Sequence, residues 1–135
     1  MRALIGAAAF AGLPALSGVS QAAQIASPTI YGTFEQVLAE CSVVNGGPTP
    51  LASVTIKIVS EFGVTIDTMN CGSNKTLGVG EFCSLRTLID NSTAYSCVAT
   101  AAALANFRGG LVFHKHVQDN LGILVLHPIR FAPLR

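Results

Sequence analysis

Apolar and polar positions alternate over much of this chain. In residues 36–44, Val37, Ala39, Cys41 and Val43 fall on one side of an extended backbone. Successive side chains of a strand point to opposite faces, so this pattern predicts a half-buried strand. Asn45-Gly46-Gly47-Pro48 ends it. Residues 53–59 alternate again, with Val54, Ile56 and Ile58 inward and Thr55 and Lys57 outward. Glu61-Phe62-Gly63 predicts a tight turn and Val64 to Thr68 the return arm of a hairpin. Residues 70–80, rich in Gly, Ser and Asn, predict a loop. Phe82 to Leu88 and Ala94 to Thr100 predict two further strands, the latter with Tyr95, Cys97 and Ala99 on one face. Asp90-Asn91-Ser92-Thr93 is the turn between them. Ala101 to Asn106 is too short for a stable isolated helix and is expected to form a loop or one helical turn. Gly110 to Val117 and Leu121 to His127 predict a last hairpin, joined around Gln118-Asp119-Asn120 and ended by Pro128, which cannot donate to a ladder. About seven short strands with frequent turns predict an all-β sandwich. No stretch supplies the alternating helices of a βαβ fold.

One stretch breaks the alternation. Gly122-Ile123-Leu124-Val125-Leu126 is apolar on both faces. A strand covered on both sides gives that pattern, and this is the favoured expectation. The competing expectation is an exposed apolar strand, open to strand addition or self-association through Ile123 to Leu126.

Composition adds an address. Half of the residues are hydrophobic, 11% are charged and mean hydropathy is +0.55. That excludes a disordered chain. Part of the excess lies in residues 1–22. Met1-Arg2 is a short positive start, Ala3 to Leu16 is apolar, and Ser20-Gln21-Ala22 places small residues where a signal peptidase reads. The pattern is that of a secretory signal peptide cleaved after Ala22, leaving a sandwich domain over residues 23–135. The apolar run is shorter than the roughly 20 residues of a spanning helix, and Gly6, Gly12 and Pro14 weaken it as one. No stable membrane span is expected after cleavage. With Arg2 removed, basic and acidic residues balance, so no electrostatic footprint of a nucleic-acid partner is present.

Cys41, Cys71, Cys83 and Cys97 all follow the leader. An even count behind an export signal predicts two disulfides, for which four cysteines allow three pairings. Cys41 and Cys97 both sit mid-strand on apolar faces, as do the strand B and strand F cysteines that pin the sheets of an immunoglobulin-like sandwich. The remaining pair, Cys71 and Cys83, brackets the Gly-rich loop. Tyr95, two residues before Cys97, has the spacing of a tyrosine corner.

Cys41-Ser42-Val43-Val44-Asn45, Val54-Thr55-Ile56-Lys57-Ile58 with its glycine turn, Ala94-Tyr95-Ser96-Cys97-Val98 and Phe107-Arg108-Gly109-Gly110-Leu111 carry a likeness. In them the chain resembles uncharacterised small exported proteobacterial proteins with an immunoglobulin-like β-sandwich, over residues 36 to about 127. The resemblance implies a fold and an exported location, and no established activity. Val79-Gly80 stands where similar proteins have a Pro-Gly turn. No Trp occupies the third strand, so Ile56 or Ile58 is expected to fill that space.

Chemistry is sparse. His114 and His116 are two apart on a strand and share a face, so both could ligate copper or zinc, with His127 on the neighbouring strand as a third ligand. Phe113-His114-Lys115-His116 is similar to the His-x-His strand of copper–zinc superoxide dismutases, whose further ligands have no counterparts here. The alternative is a pair of solvent-facing histidines. Arg108 could grip an anionic ligand, or be a loop arginine that bonds carbonyls or pairs with a nearby acid. Bridged cysteines cannot act as thiolates, no Gly-x-Ser-x-Gly elbow occurs, and the carboxylates are scattered. The chain is therefore expected to be no enzyme and to need no cofactor. Its expected role is a periplasmic or secreted structural or binding module for a protein or other envelope component. The alternatives are a small periplasmic metal-binding protein and a surface-assembly subunit that pairs through an edge strand.

Overall fold

A computed structural model describes residues 22–104, 106–118 and 124–135. Residues 1–21 of the expected leader, the tip of the last hairpin and Ile123 lie outside these residues. Eight strands follow in order: β1 (Ala23–Ala26), β2 (Leu38–Asn45), β3 (Thr55–Ser60), β4 (Thr65–Asn70), β5 (Phe82–Leu88), β6 (Tyr95–Ala101), β7 (Phe107–Gln118) and β8 (Leu124–Pro133). They form two antiparallel sheets of four strands, β1-β6-β3-β4 and β5-β2-β7-β8. The described residues contain no helix.

The alternation decides what lies between the sheets. Ala39, Cys41 and Val43 of β2, Ile56 and Ile58 of β3 with Val54 just before it, Cys97 and Ala99 of β6, and Leu111 and Phe113 of β7 are all essentially inaccessible to solvent. Removing this apolar surface from water is the main force holding the layers together. Ile58 stands opposite Cys97 in the β3–β6 ladder, so a branched aliphatic side chain occupies the place beside the bridge where antibody domains use Trp.

Both expected bridges are present, Cys41–Cys97 and Cys71–Cys83. Each joins one sheet to the other. Cys41 lies in β2 and Cys97 in β6, while Cys71 follows β4 and Cys83 lies in β5. The tyrosine corner also forms, with the Tyr95 hydroxyl accepting the N–H of Asp90 at 3.0 Å. The pairings β2–β5 and β3–β6 match the B–E and C–F pairs of an immunoglobulin-like sandwich. The flanking strands are exchanged: β1 lies beside β6, and β7 beside β2.

Two expectations need correction at the last strand. Pro128 does not end it, because β8 continues to Pro133. Since β8 is the outer strand of its sheet, the missing N–H of Pro128 costs less than it would in a central strand, and a register shift beside His114 accommodates it. The apolar run is also not part of a central strand, since β8 lies at the outer edge of its sheet. Leu126 is 41% exposed.

The turn after β3 needs a left-handed residue, and Gly63 supplies it with φ of 77°. At the other end of the sandwich Asn45, fully buried, organises a loop cluster. Its side-chain amide donates to the carbonyls of Thr49 and Leu77, and its side-chain oxygen accepts the N–H of Gly47.

Candidate functional site

The first candidate is the histidine strand. On the outer face of the second sheet, the His114 Nε2 lies 3.1 Å from Glu40 Oε2. Glu40 also receives the Arg86 guanidinium at 3.0 Å and the Ser84 hydroxyl at 2.7 Å. β5, β2 and β7 are adjacent; Arg86 stands directly opposite Glu40, and Ser84 and His114 are its diagonal neighbours on the flanking strands. The Glu40 and His114 side chains are only 12% and 14% exposed. Burial pushes the Glu40 carboxyl up, but the Ser84 and Arg86 hydrogen bonds and the charges of Arg86 and His114 outweigh it and hold the group below its ordinary value. With Nε2 facing a carboxylate, Nδ1 is left buried and without a partner.

His116 is exposed on the same face. His127 stands opposite Lys115, and His116 opposite Leu126. Residues opposite each other in an antiparallel pair share a face, so His127 sides with Lys115 and away from His114 and His116. The three histidines are not brought together. Among the described residues no group of three His, Cys, Asp or Glu side chains could hold a metal ion. Arg108 donates to the carbonyl of Phe107, its neighbour at the start of β7, at 2.9 Å.

The second candidate was not legible as a motif. At one end of the sandwich, Tyr31, Phe34, Glu61, Ser92 and Ala94 line an open pocket of about 300 Å³. Three segments distant in sequence build it, and buried polar groups pin them to one another. Gln36 is fully buried. Its side-chain oxygen accepts the N–H of Gly32 at 2.8 Å, and its amide donates to the carbonyls of Asp90 and Thr93 at 2.8 and 2.7 Å. The Tyr31 hydroxyl donates to the Asn91 carbonyl at 2.8 Å. Glu61 and Ala94 exchange two bonds, Glu61 N–H to the Ala94 carbonyl and Ala94 N–H to Glu61 Oε1. Tyr95 fixes the same turn through Asp90. Tyr31, Glu61 and Ala94 are thus held in place by bonds within the fold, which lowers the entropic cost of binding at that part of the wall.

Its chemistry is mixed. The Tyr31 and Phe34 rings meet edge to face, centroids 5.7 Å apart and planes at 78°. Phe34 is 79% exposed, a large apolar surface that the core does not use. Among the described residues no cation pairs with Glu61. The sequence signal was a pair of aromatic residues, Tyr31 and Phe34, in the connection between β1 and β2, a pattern that names no partner segment without the fold. No helix among the described residues is long and apolar enough to cross a membrane. The chain matches no protein-family model, no curated protein and no solved structure.

Proposed function

We propose that the chain is an exported, non-catalytic module of the cell envelope, periplasmic or secreted, and that it belongs with the small exported proteobacterial proteins it resembles. The observation that carries this reading is the pair of disulfides, each tying one sheet to the other. Such bonds persist in oxidising compartments and are rare in the cytosol. The leader pattern of residues 1–22 supports the same address, and β1 starts at Ala23, the first residue after the expected cut. Glu40, the carboxylate with the most developed surroundings, has Arg86, Ser84 and His114 around it, which suits a structural tie better than acid–base work.

Cell fractionation followed by N-terminal sequencing tests the proposal. The expected result is a periplasmic or extracellular protein that begins at Ala23 and has no free thiol. A cytoplasmic protein with four free thiols overturns it.

A second reading is favoured by one observation. β8 is an outer strand with Leu126 and Phe131 exposed, so the module could pair with another chain along that edge as a subunit of a surface assembly. The metal-binding reading would require the buried Nδ1 of His114 to become accessible and further ligands to be brought to it.

A further inference from the structure

We infer that the Tyr31–Phe34–Glu61 pocket is a binding site for an organic ammonium group. The inference rests on the reading of the protein as a binding module and gives that module a site and a ligand class. Three observations converge on it. Two aromatic rings stand at 78° to each other and so form a corner rather than a flat platform. A flat sugar face stacks on one ring; a compact cation is held in a corner, where ring quadrupoles attract positive charge. Glu61 adds a carboxylate to the same wall. Ala94 N–H occupies its Oε1, and among the described residues no ion pair compensates its charge. Phe34, exposed over four fifths of its surface, lines the pocket with a ring that a ligand can reach.

The surroundings hold this corner in place. Tyr31 is tied through its ring hydroxyl to the Asn91 carbonyl, and its backbone carbonyl accepts Arg130 at 2.7 Å. Arg130 is not among the residues lining the pocket. Ser92 Oγ and N–H are both turned to Asp90, which leaves the pocket's polarity to Glu61. The ligand chemistry that fits is a methylated or alkyl ammonium, as in choline, either free or as a lipid headgroup.

Choline chloride titrated into the purified, oxidised protein and followed by two-dimensional NMR tests the inference. Shifts are expected at Tyr31, Phe34, Glu61, Ser92 and Ala94. The neutral carbon isostere of choline, dimethylbutanol, is expected to bind about 3- to 10-fold more weakly, the span of an exposed to partly desolvated cation–π contact. Phe34→Ala and Glu61→Gln are each expected to weaken choline by a similar factor. Both side chains are exposed, and glutamine keeps the acceptor for Ala94, so both variants fold. Flotation with phosphatidylcholine against phosphatidylglycerol vesicles separates a headgroup from a free ligand. Equal binding of choline and its isostere, or shifts confined to other surfaces, overturns the inference. An exported, fully bridged protein that ignores choline removes the ligand class and leaves the envelope reading intact. Choline binding by a protein retained in the cytoplasm does the reverse.

Discussion

The hydroxyl of Tyr95 accepts the backbone N–H of Asp90 at 3.0 Å, and the ring that carries it packs edge-on against Phe113 of the opposite sheet. One side chain therefore anchors both the core and the turn that shapes the pocket. Tyr95→Phe keeps the packing and leaves the Asp90 N–H unpartnered. A loss of about 1 kcal/mol is expected, read as a lower urea midpoint with an unchanged slope.

Gln36 is the stronger test of how the pocket is built. Gln36→Ala strands one N–H and two carbonyls, all pinned by a side chain with no solvent exposure. A loss of about 2–4 kcal/mol is expected, since buried groups left without partners forfeit their solvation. NMR should show the largest changes in residues 31–34 and 90–94, and an effect spread evenly over the sheets would contradict the pinning role.

The two bridges should differ in weight. Closing 56 residues restricts the unfolded chain more than closing 12. Replacing Cys41 and Cys97 together by Ala is expected to cost about 4 kcal/mol, against about 3 for Cys71 and Cys83. Denaturant unfolding of the two double variants gives the order directly.

Glu40 makes stability depend on pH. Its carboxyl lies lower in the folded protein than in the unfolded chain, so its contribution is complete above the ordinary carboxylate value. It fades as pH falls through the depressed folded value. Glu40→Gln should lower stability at neutral pH and flatten the acid limb of the curve. Urea midpoints between neutral and strongly acidic pH check the sign; an unchanged acid limb would argue against it.

How much of this could be read in advance varies with the range of the interactions. Val54, Ile56 and Ile58 announced their face by alternation, a local property, and all three are buried. The pairing of Cys41 with Cys97 followed from the place of each in its own strand. The position of β8 did not, because periodicity reports which face of a strand is apolar and is silent on which neighbours the strand has. The apolar run at Leu124–Leu126 looked central and lies at an edge. Pro128 looked terminal for the same reason. The pocket was invisible in a stronger sense: Tyr31, Glu61 and Ser92 meet only because Gln36 and the ladders bring three connections to one end of the sandwich. Nothing near Gln36 in the sequence says that it will be the buried tie.

An edge strand with exposed apolar side chains should reveal itself in solution. Leu126→Lys places a charge on β8 where strand addition would bury it. If the protein self-associates through this edge, sedimentation velocity should show the parent growing heavier with concentration and the variant remaining a monomer. Equal behaviour of the two would exclude this edge as the contact.

The Cys41–Cys97 bond also fixes how the molecule answers to load. The last described residue meets the first strand: the backbone N–H of Arg135 donates to the carbonyl of Ala26 at 3.2 Å. If a tether at one end pulls against an anchor at the other, the force runs through β1, crosses the sulfur bridge and leaves through β7 and β8. The 56-residue span between the two cysteines is bypassed and cannot be drawn out. Only the stretches before Cys41 and after Cys97 lengthen. The pocket straddles that boundary, with Tyr31 and Phe34 on the extensible side and Glu61, Ser92 and Ala94 on the shielded one. Tension would load the aromatic wall along the chain itself and reach the acidic wall only through the sulfur bridge and the bonds across the pocket.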